Sequence, residues 1–353
     1  MTSAYAQAGV DIEAGERAVE LMRADVARTR RPEVLGSLGG FAGFFDAASF
    51  QNYRHPVLAT STDGVGTKVA IAQALDIHDT IGFDLVAMLV DDLVVVGAEP
   101  LFVTDYIACG AVVPERIAAI VRGIAQACAE AGAALLGGET AEHPGLLRPD
   151  EYDVAGATTG VVEQDLILGP DQVQPGDQIL ALASSGLHSN GYSLVRQVFL
   201  NQAGWQLERP VAELGRTLGE ELLTPTRIYT PAILDLIKAT SVHAISHITG
   251  GGLANNLARI IPDRLQAVVD RSTWQPAPIF DLVQRTGQIS QPDLEATLNM
   301  GVGMAVVLPA ASVDQAQRQL SQRGVDAWVC GQVEAADSGQ IGAVLVGQHP
   351  VPA

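Results

Sequence analysis

Apolar positions recur along the chain with two periods, one helical and one of two residues, and together they predict alternating helices and strands. In the first half, segment 82–96 (GFDLVAMLVDDLVVV) has the length and period of a helix. Pro114 and Glu115 begin a second helix that extends to about Ala131, because proline suits the first turn and an acid suits the positive helix end. Strands are predicted at 101–108, 133–136 and 152–162. This alternation is typical of an α/β domain.

A second α/β pattern follows segment 163–177, which contains two prolines, two glycines and several acids. The predicted strands of this half are 178–183, 243–248, 265–270, 302–308 and 325–332. The predicted helices are 190–201, 225–239, 253–261, 277–286, 291–298 and 311–323. We therefore predict a mixed α/β (α+β) fold of two domains, an N-terminal domain over residues 1–165 and a C-terminal mixed-sheet domain flanked by helices over 166–353.

Composition narrows the functional classes. The net charge of −19 argues against nucleic acid or an anionic membrane as a partner. No apolar run reaches the roughly 18–20 residues of a membrane helix, and the first residues lack the basic and apolar regions of a signal peptide. Cys109, Cys128 and Cys330 are scattered, without metal-binding spacing. These features predict a cytoplasmic protein with reduced cysteines.

The octapeptide at 61–68 (STDGVGTK) carries the most chemistry, at the end of a short predicted strand. Gly64 and Gly66 are expected to allow positive φ angles and bring backbone N–H groups close to an oxyanion. Asp63 is suited to a divalent cation and Lys68 to a phosphate. The octapeptide matches neither a Walker A loop nor a GxGxxG fingerprint. Taken alone, it is equally compatible with a strand-to-helix turn that carries a solvated aspartate.

Further carboxylates predict a Mg²⁺ site. Asp84, Asp91 and Asp92 lie on the predicted helix 82–96, whose surroundings are apolar nearly all round. A solvated face usually explains acids on a helix, but a buried carboxylate needs a cation or hydrogen-bond donors. Glu139 follows a predicted strand and a glycine pair, where open α/β sheets place ligands. The glycine-rich segment 36–43 is either a lid over a nucleotide or a plain surface loop.

Two segments of the second half join a strand to a helix. Segment 184–191 (SSGLHSNG) offers hydroxyls, an imidazole and an amide, a combination that suits a phosphate or an amide ligand. Ordinary N-capping by Ser189 or Asn190 is the alternative, although capping does not account for His188. Segment 246–252 (SHITGGG) has three glycines before a helix, which favours close backbone approach to a phosphate.

Seven segments together resemble one enzyme family, the phosphoribosylformylglycinamidine cyclo-ligases (AIR synthetases) of purine biosynthesis. They are STDGVGTK at 61–68, IGFDLVAMLVDDLVVVGAEPLF at 81–102, GGETAEHPG at 137–145, YDVAGATTGVV at 152–162, SSGLHSNGYSLVR at 184–196, LLTPTRIY at 222–229 and HITGGGLANNL at 247–257. The resemblance implies two α/β domains and a homodimer whose N-terminal sheets join across the interface. It also implies the reaction, in which ATP and formylglycinamidine ribonucleotide give aminoimidazole ribonucleotide, ADP and phosphate.

The resemblance further implies residue roles, with ATP in the N-terminal domain near the dimer interface and the second substrate in the cleft between domains. Asp63, Asp92 and Glu139 are expected to hold Mg²⁺. The catalytic residues are expected to be Lys68 on the phosphates and His188 and Asn190 at the reacting amide. Other nucleotide contacts implied are Gly39, Gly40, Gly64, Gly66, Thr67 and Thr140. Other contacts implied for the second substrate are Ser185, Ser189, Thr249, Gly250, Gly251 and Gly252.

The chain departs from the family pattern at a few positions. Asp91 stands where the family usually has Asn, so the resemblance assigns the metal to Asp92. A lysine that usually precedes the AGVDI segment is absent, and His143 replaces a common Met. Two relatives of similar fold are alternatives. A thiamine-monophosphate kinase would share the Asp-Gly signature without SSGLHSNGYS and HITGGG. A selenophosphate synthetase would need a reactive cysteine or selenocysteine near the N-terminus, whereas the first cysteine here is Cys109.

Overall fold

The structure, a computed structural model, describes residues 11–36, 39–336 and 342–350. The chain divides into two compact units, one of residues 1–93 with 98–165 and one of residues 94–97 with 166–353. Each unit contains a sheet and helices, which confirms the predicted α/β class. None of the helices in the described part of the chain has the length and apolar character needed to cross a bilayer.

The first unit is built on a four-stranded sheet. Its strands are β3 (Pro56–Gly64), β4 (Glu99–Cys109), β5 (Ala134–Glu142) and β6 (Tyr152–Glu163), in the order β3-β6-β4-β5. β4 and β5 are parallel, and the other pairs are antiparallel. Two short strands, β1 (Val34–Leu35) and β2 (Phe44–Phe45), pair with each other before the sheet begins. The predicted strands at 101–108 and 152–162 are confirmed as parts of longer strands, and the predicted strand 133–136 corresponds to β5, which begins one residue later and extends to Glu142.

The helices of the first unit are α1 (Ile12–Arg28), α2 (Val69–Leu75), α3 (Ile81–Val94) and α4 (Pro114–Ala131). α4 begins with proline in its first turn, as the sequence predicted, and it ends before Gly132, whose φ of 75° closes the helix. α3 is buried almost all round and packs on β6 where that strand has glycines. A side chain at Gly156 would place its Cβ 3.0 Å from Leu89, and one at Gly160 would place it 2.9 Å from Leu93. The glycines therefore allow the helix to lie close to the sheet.

The second unit contains a six-stranded sheet in the order β10-β12-β7-β13-β11-β14. Its strands are β7 (Gln178–Ala183), β10 (Ala244–His247), β11 (Leu265–Asp270), β12 (Val302–Leu308), β13 (Ala327–Ala335) and β14 (Gly342–Val346). Only the β11–β14 pair is parallel among the strand pairs of this described sheet. A hairpin of β8 (Pro210–Val211) and β9 (Arg216–Thr217) and the strand β14 were not predicted, because each is short or partly exposed.

The helices of the second unit are α5 (Tyr192–Arg196), α6 (Leu218–Leu222), α7 (Thr230–Ala239), α8 (Gly252–Ala258), α9 (Pro278–Gly287), α10 (Gln291–Glu295) and α11 (Val313–Gln322). α5 continues into a π-helical turn over Gln197–Gln202, so the predicted helix 190–201 has two parts. α7 begins five residues later than predicted, with a proline in its first turn. One apolar cluster contains Ala181, Leu257 and Val269, and another contains Leu180, Ile233 and Leu320. Alternate residues of β7 belong to different clusters, so both sheet faces are buried.

Candidate functional site

The octapeptide of the first unit has only part of its predicted geometry. Asp63 and Gly64 still belong to β3, and Asp63 is exposed, with its Oδ1 accepting from the Gly64 N–H at 2.7 Å. Gly66 has the predicted positive φ, 73°, and begins a 3₁₀ turn with Thr67, which is exposed. Gly64 does not have a positive φ, so that expectation was wrong. Gly64 instead lies close to the β6 backbone, where an added Cβ would be 3.2 Å from the Val154 carbonyl.

Lys68 lies away from the surface. Its side chain is fully buried, and Nζ donates to Oδ1 of Asp84 at 2.7 Å. Burial lowers the pKa of Lys68, and the neighbouring carboxylate opposes that shift. The cation that stabilises Asp84 in this structure is therefore Lys68, whereas the sequence predicted a metal for the carboxylates of this helix. A contact between Lys68 and a phosphate stays a prediction, and it requires this ion pair to open.

The three predicted metal ligands are all accessible to solvent. Asp63, Asp92 and Glu139 are exposed, whereas Asp91 is completely buried. Carboxylate oxygens are the donors that Mg²⁺ prefers, so these residues fit the ion in chemistry and accessibility. They do not form a closed cage, because no group of three acidic, His or Cys side chains suited to a metal occurs in residues 11–36, 39–336 and 342–350. Such a partial site matches Mg²⁺ that takes its other ligands from phosphate and water.

A row of small and acidic residues crosses the sheet beside this site. Asp63 of β3 pairs with Gly156 of β6, Gly156 pairs with Asp105 of β4, and Asp105 pairs with Gly138 of β5. Gly138 makes room for the Asp105 carboxyl, since a Cβ there would lie 1.6 Å from Oδ1. Burial raises the pKa of Asp105 to about 7. Sequence reasoning missed Asp105, although an acid inside an otherwise apolar predicted strand was a signal.

A cavity of about 1430 Å³ opens in the first unit. It is lined by α1, by the glycine-rich segment, by the middle of β4 and by most of β5, and it includes four predicted nucleotide contacts together with Asp105. Those four are Gly39, Gly40, Glu139 and Thr140. In the glycine-rich segment, Phe41 is fully exposed, whereas Gly43 packs so closely on Leu136 that a Cβ would lie 2.5 Å from its Cγ. Ser37 and Leu38 of the predicted lid lie outside the described residues.

The first substrate segment of the second unit is a tightly held loop after β7. His188 is 2% exposed and has a φ of 62°, which is rare for a residue with a side chain. Its Nε2 accepts from the Ser185 N–H at 3.1 Å, so the ring carries its proton on Nδ1. Gly303 of β12 makes room for this ring, because an added Cβ would lie 2.6 Å from His188 Cε1. Ser189 is buried and Asn190 is half-buried.

The second substrate segment approaches the first. A Cβ on Gly250 would lie 3.5 Å from Oδ1 of Asn190, so the structure brings these two predicted positions together. Gly251 and Gly252 have φ angles of 96° and 72°, which explains glycine at both positions. Gly252 also abuts α10, where an added Cβ would lie 1.7 Å from the Glu295 carbonyl. Gly252 is therefore required by packing, independently of any ligand.

A buried amide that the sequence did not reveal holds this segment. Asn256 is 3% exposed and its Nδ2 donates to the carbonyls of Thr249, Gly250 and Gly252, at 3.4, 3.1 and 2.8 Å. The Thr249 hydroxyl donates to its Oδ1 at 3.5 Å. Asn256 thus fixes the backbone of the glycine segment from behind.

Comparison with known proteins identifies the family. A family model described as AIR synthase related protein, N-terminal domain, matches residues 45–162, and the C-terminal domain model matches residues 174–343. Phosphoribosylformylglycinamidine cyclo-ligases from Brevibacillus brevis and Shouchella clausii are each 49% identical to the chain. The alignments cover 96% and 98% of this chain and 97% and 99% of those proteins. The chain belongs to the phosphoribosylformylglycinamidine cyclo-ligase family. The predicted resemblance is therefore confirmed.

Solved structures with the same fold reach beyond the cyclo-ligase family. Thiamine-monophosphate kinase from Stenotrophomonas maltophilia superposes with a TM-score of 0.68 at 19% identity, over 95% of this chain and 97% of that chain. The hydrogenase maturation protein HypE in complex with ATP superposes with a TM-score of 0.64 at 20% identity, over 94% and 91%. At such identities the likeness establishes the fold alone.

Proposed function

We propose that the chain catalyses the ATP-dependent ring closure of formylglycinamidine ribonucleotide to 5-aminoimidazole ribonucleotide, with release of ADP and phosphate, in the cytoplasm. The observation that carries this proposal is the convergence of the two predicted substrate segments, His188–Asn190 and Thr249–Gly252, in a chain that is 49% identical to cyclo-ligases over nearly its full length. Under the alternative hypothesis of a kinase, neither segment has a role.

This reaction depends on groups that align the substrates and neutralise charge on the phosphates more than on a nucleophile supplied by the enzyme. An amide oxygen is a poor leaving group, so transfer of the γ-phosphoryl group of ATP to the formyl oxygen activates it. The neighbouring amidine nitrogen then attacks the activated carbon, and the C–O bond breaks as phosphate leaves. Each step depends on alignment and on stabilising charge on phosphate oxygens.

The first unit supplies the nucleotide side in this proposal. Asp63, Asp92 and Glu139 would hold Mg²⁺ together with phosphate oxygens, and the bound ion would neutralise charge on the transferring phosphoryl group. Gly39 and Gly40 border the cavity beside Glu139 and Thr140, which supports nucleotide binding there. Gly64, Gly66 and Thr67 follow Asp63 along the chain and would contact the phosphates beside it. Lys68 takes part in catalysis only if its ion pair opens.

The second unit supplies the ribonucleotide side. His188 and Asn190 would contact the reacting amide, with Ser185 and Ser189 beside them on the same loop. Thr249 and the glycines at 250–252 would bind the ribose phosphate. Because Asn256 ties the carbonyls of that segment inward, the backbone is already organised for an anion before the substrate arrives.

A homodimer is also part of the proposal. Leu58 of β3 and Tyr106 of β4 are 59% and 41% exposed. Strand pairing places both on the sheet face opposite α3, together with Ala155. An apolar sheet face of this kind fits burial against a second copy. Light scattering at low micromolar concentration should give twice the chain mass of 36.9 kDa, and a mass of one chain would contradict the dimer.

The function is tested by phosphate release. Purified protein with Mg-ATP is given formylglycinamidine ribonucleotide, thiamine phosphate or selenide in parallel, and phosphate and ADP are measured. We expect stoichiometric phosphate and ADP only with the ribonucleotide, accompanied by the imidazole product. ADP without free phosphate in the thiamine phosphate reaction would favour the kinase reading and contradict the proposal.

The assignment of His188 has its own test. His188→Ala should lower turnover, with little effect on ATP affinity measured by calorimetry, because His188 belongs to the ribonucleotide side. His55→Ala is a suitable control, since His55 is an exposed histidine of the first unit. An equal loss of ATP affinity would show that His188 is assigned to the wrong substrate.

A further inference from the structure

Behind the His188 loop lies a second buried amide, Asn299, in the turn that leads into β12. The residue is 4% exposed. Its Nδ2 donates to the Gly186 carbonyl at 3.0 Å and to the Leu187 carbonyl at 3.3 Å. Its Oδ1 accepts from the Gly301 N–H at 2.9 Å and from the Ser184 hydroxyl at 3.5 Å. All four partners are main-chain or loop groups, so the amide links the His188 loop to the start of β12.

The loop that Asn299 binds contains a residue in an unfavourable backbone conformation. His188 adopts a φ of 62°, a left-handed conformation that costs free energy for a residue with a Cβ. Such a conformation persists only where the surrounding structure imposes it. The carbonyls that Asn299 binds belong to the two residues immediately before His188. The orientation of these two carbonyls fixes the backbone that positions the His188 imidazole.

The imidazole is fixed from two further directions. Ser185 N–H donates to Nε2, and Gly303 opens the space that the ring edge occupies. The turn at Asn299 is itself unusual, because Met300 and Gly301 have φ angles of 51° and 89°. Asn299 bonds to both sides, the turn through Gly301 and the loop through Gly186 and Leu187. No other residue type offers two donors and an acceptor in so short a side chain.

We propose that Asn299 is a positioning residue for the ring closure, which acts by holding His188 in its left-handed conformation with the proton on Nδ1. The inference rests on the proposed function of His188. It assigns Asn299 no contact with either substrate. Its effect on the reaction therefore has to pass through His188, and this requirement distinguishes it from a residue that only stabilises the fold.

The test is a double-mutant cycle. Asn299→Asp keeps an acceptor for Gly301 but turns an oxygen toward the Gly186 and Leu187 carbonyls, which repel it. We expect turnover to fall by about 10- to 100-fold, since small misplacements of a reacting group have effects of that size. In the His188→Ala background the same change should lower turnover no further, because residues that act as a unit are not additive.

A spectroscopic readout accompanies the cycle. Long-range ¹H–¹⁵N spectra of the imidazole nitrogens identify the tautomer of His188, whose signals are those missing from His188→Ala. Wild type should show the Nδ1-protonated form, and Asn299→Asp should show a mixture or a changed Nε2 shift. If Asn299→Asp does not fold, Asn299→Ser, which keeps one small donor, is examined at lower temperature in the same two experiments.

Thr158→Val is the matched control, because Thr158 is a buried residue of the first unit whose hydroxyl donates to the Phe102 carbonyl at 2.9 Å. It should lower thermal stability while leaving turnover and the His188 spectrum unchanged. If Asn299→Asp lowers turnover by the same factor with and without His188, or leaves the imidazole signals of His188 unchanged, the proposal is overturned. Wild type that closes no ring would instead refute the proposed function, which the phosphate-release assay detects separately.

Discussion

The two units hold their candidate functional groups in opposite ways. In the first unit, Asp63, Asp92 and Glu139 are exposed and face a wide cavity or open solvent. In the second unit, His188, Asn256 and Asn299 are almost fully buried and bonded to backbone carbonyls or N–H groups. The exposed carboxylates need a metal and phosphates to complete their arrangement, whereas the buried segments are organised in advance. We therefore expect substitutions of the exposed carboxylates to lower activity without lowering stability. Substitutions in the buried segments should lower both.

Lys68 gives the largest expected effect, because it is the exception in the first unit. Lys68→Met removes the ammonium 2.7 Å from buried Asp84 and should lower the free energy of unfolding by about 3–5 kcal/mol, measured by urea titration. The double variant Lys68→Met/Asp84→Leu should recover part of that loss. The matched control is Lys238→Met, since Lys238 is the other lysine of the chain and is exposed. A Lys68→Met protein that is stable but cannot bind ATP would show that Lys68 contacts the phosphates of ATP and does not stabilise the fold.

Asp63→Asn and Asp92→Asn test the open half of the comparison. Each keeps the side-chain shape but removes a charge from the proposed Mg²⁺ site, and turnover should fall roughly 10²–10³-fold. The melting temperature should change little or rise, because both carboxylates are exposed. Melting and turnover are measured on the same preparations. Asp314→Asn, at an exposed acid in the first turn of α11, should leave turnover unchanged. Destabilised but fully active Asp63 and Asp92 variants would sink the metal assignment.

Asn256→Asp tests the organised half. It replaces the amide donor that serves three carbonyls, so the free energy of unfolding should fall by about 1–3 kcal/mol. The KM for the ribonucleotide should rise while the KM for ATP stays constant. Asn255→Asp is the comparison, because Asn255 is exposed and donates to Gly251 alone among the described carbonyls. A rise in the KM for ATP would place the glycine segment on the nucleotide side.

Asp105 gives stability a defined pH dependence. Its pKa is raised from 3.8 to about 7 in the folded protein, so between these values the folded state binds a proton that the unfolded state has released. Stability should therefore fall as pH rises from about 4 to 7, by at most about 1.4 kcal/mol per pH unit from this group. Asp105→Asn should remove that part of the slope in urea titrations. Identical slopes for both proteins would show that Asp105 ionises normally.

The sequence predicted what depends on local pattern. Apolar period located most strands and the helices at α3 and α4, and glycine placement marked the loops at 184–191 and 246–252. It did not predict the partners of buried polar groups, because these depend on register and packing between distant residues. Lys68 meets Asp84 across 16 positions, and Asn299 meets Gly186 across 113. An isolated asparagine has no period that would reveal such a contact.

The structure of strand β6 predicts which of its positions tolerate amino-acid substitutions. Gly156 and Gly160 face α3 with no space for a methyl group, so every substitution there should be purged from a mutational library. Ala155, Ala157 and Thr159 alternate with them and are half-buried on the other face, where a single chain would accept larger residues. If two copies meet on that face, the alternate positions become as restricted as the glycines. The pattern of surviving variants along one strand would then record the existence of the dimer in the cell.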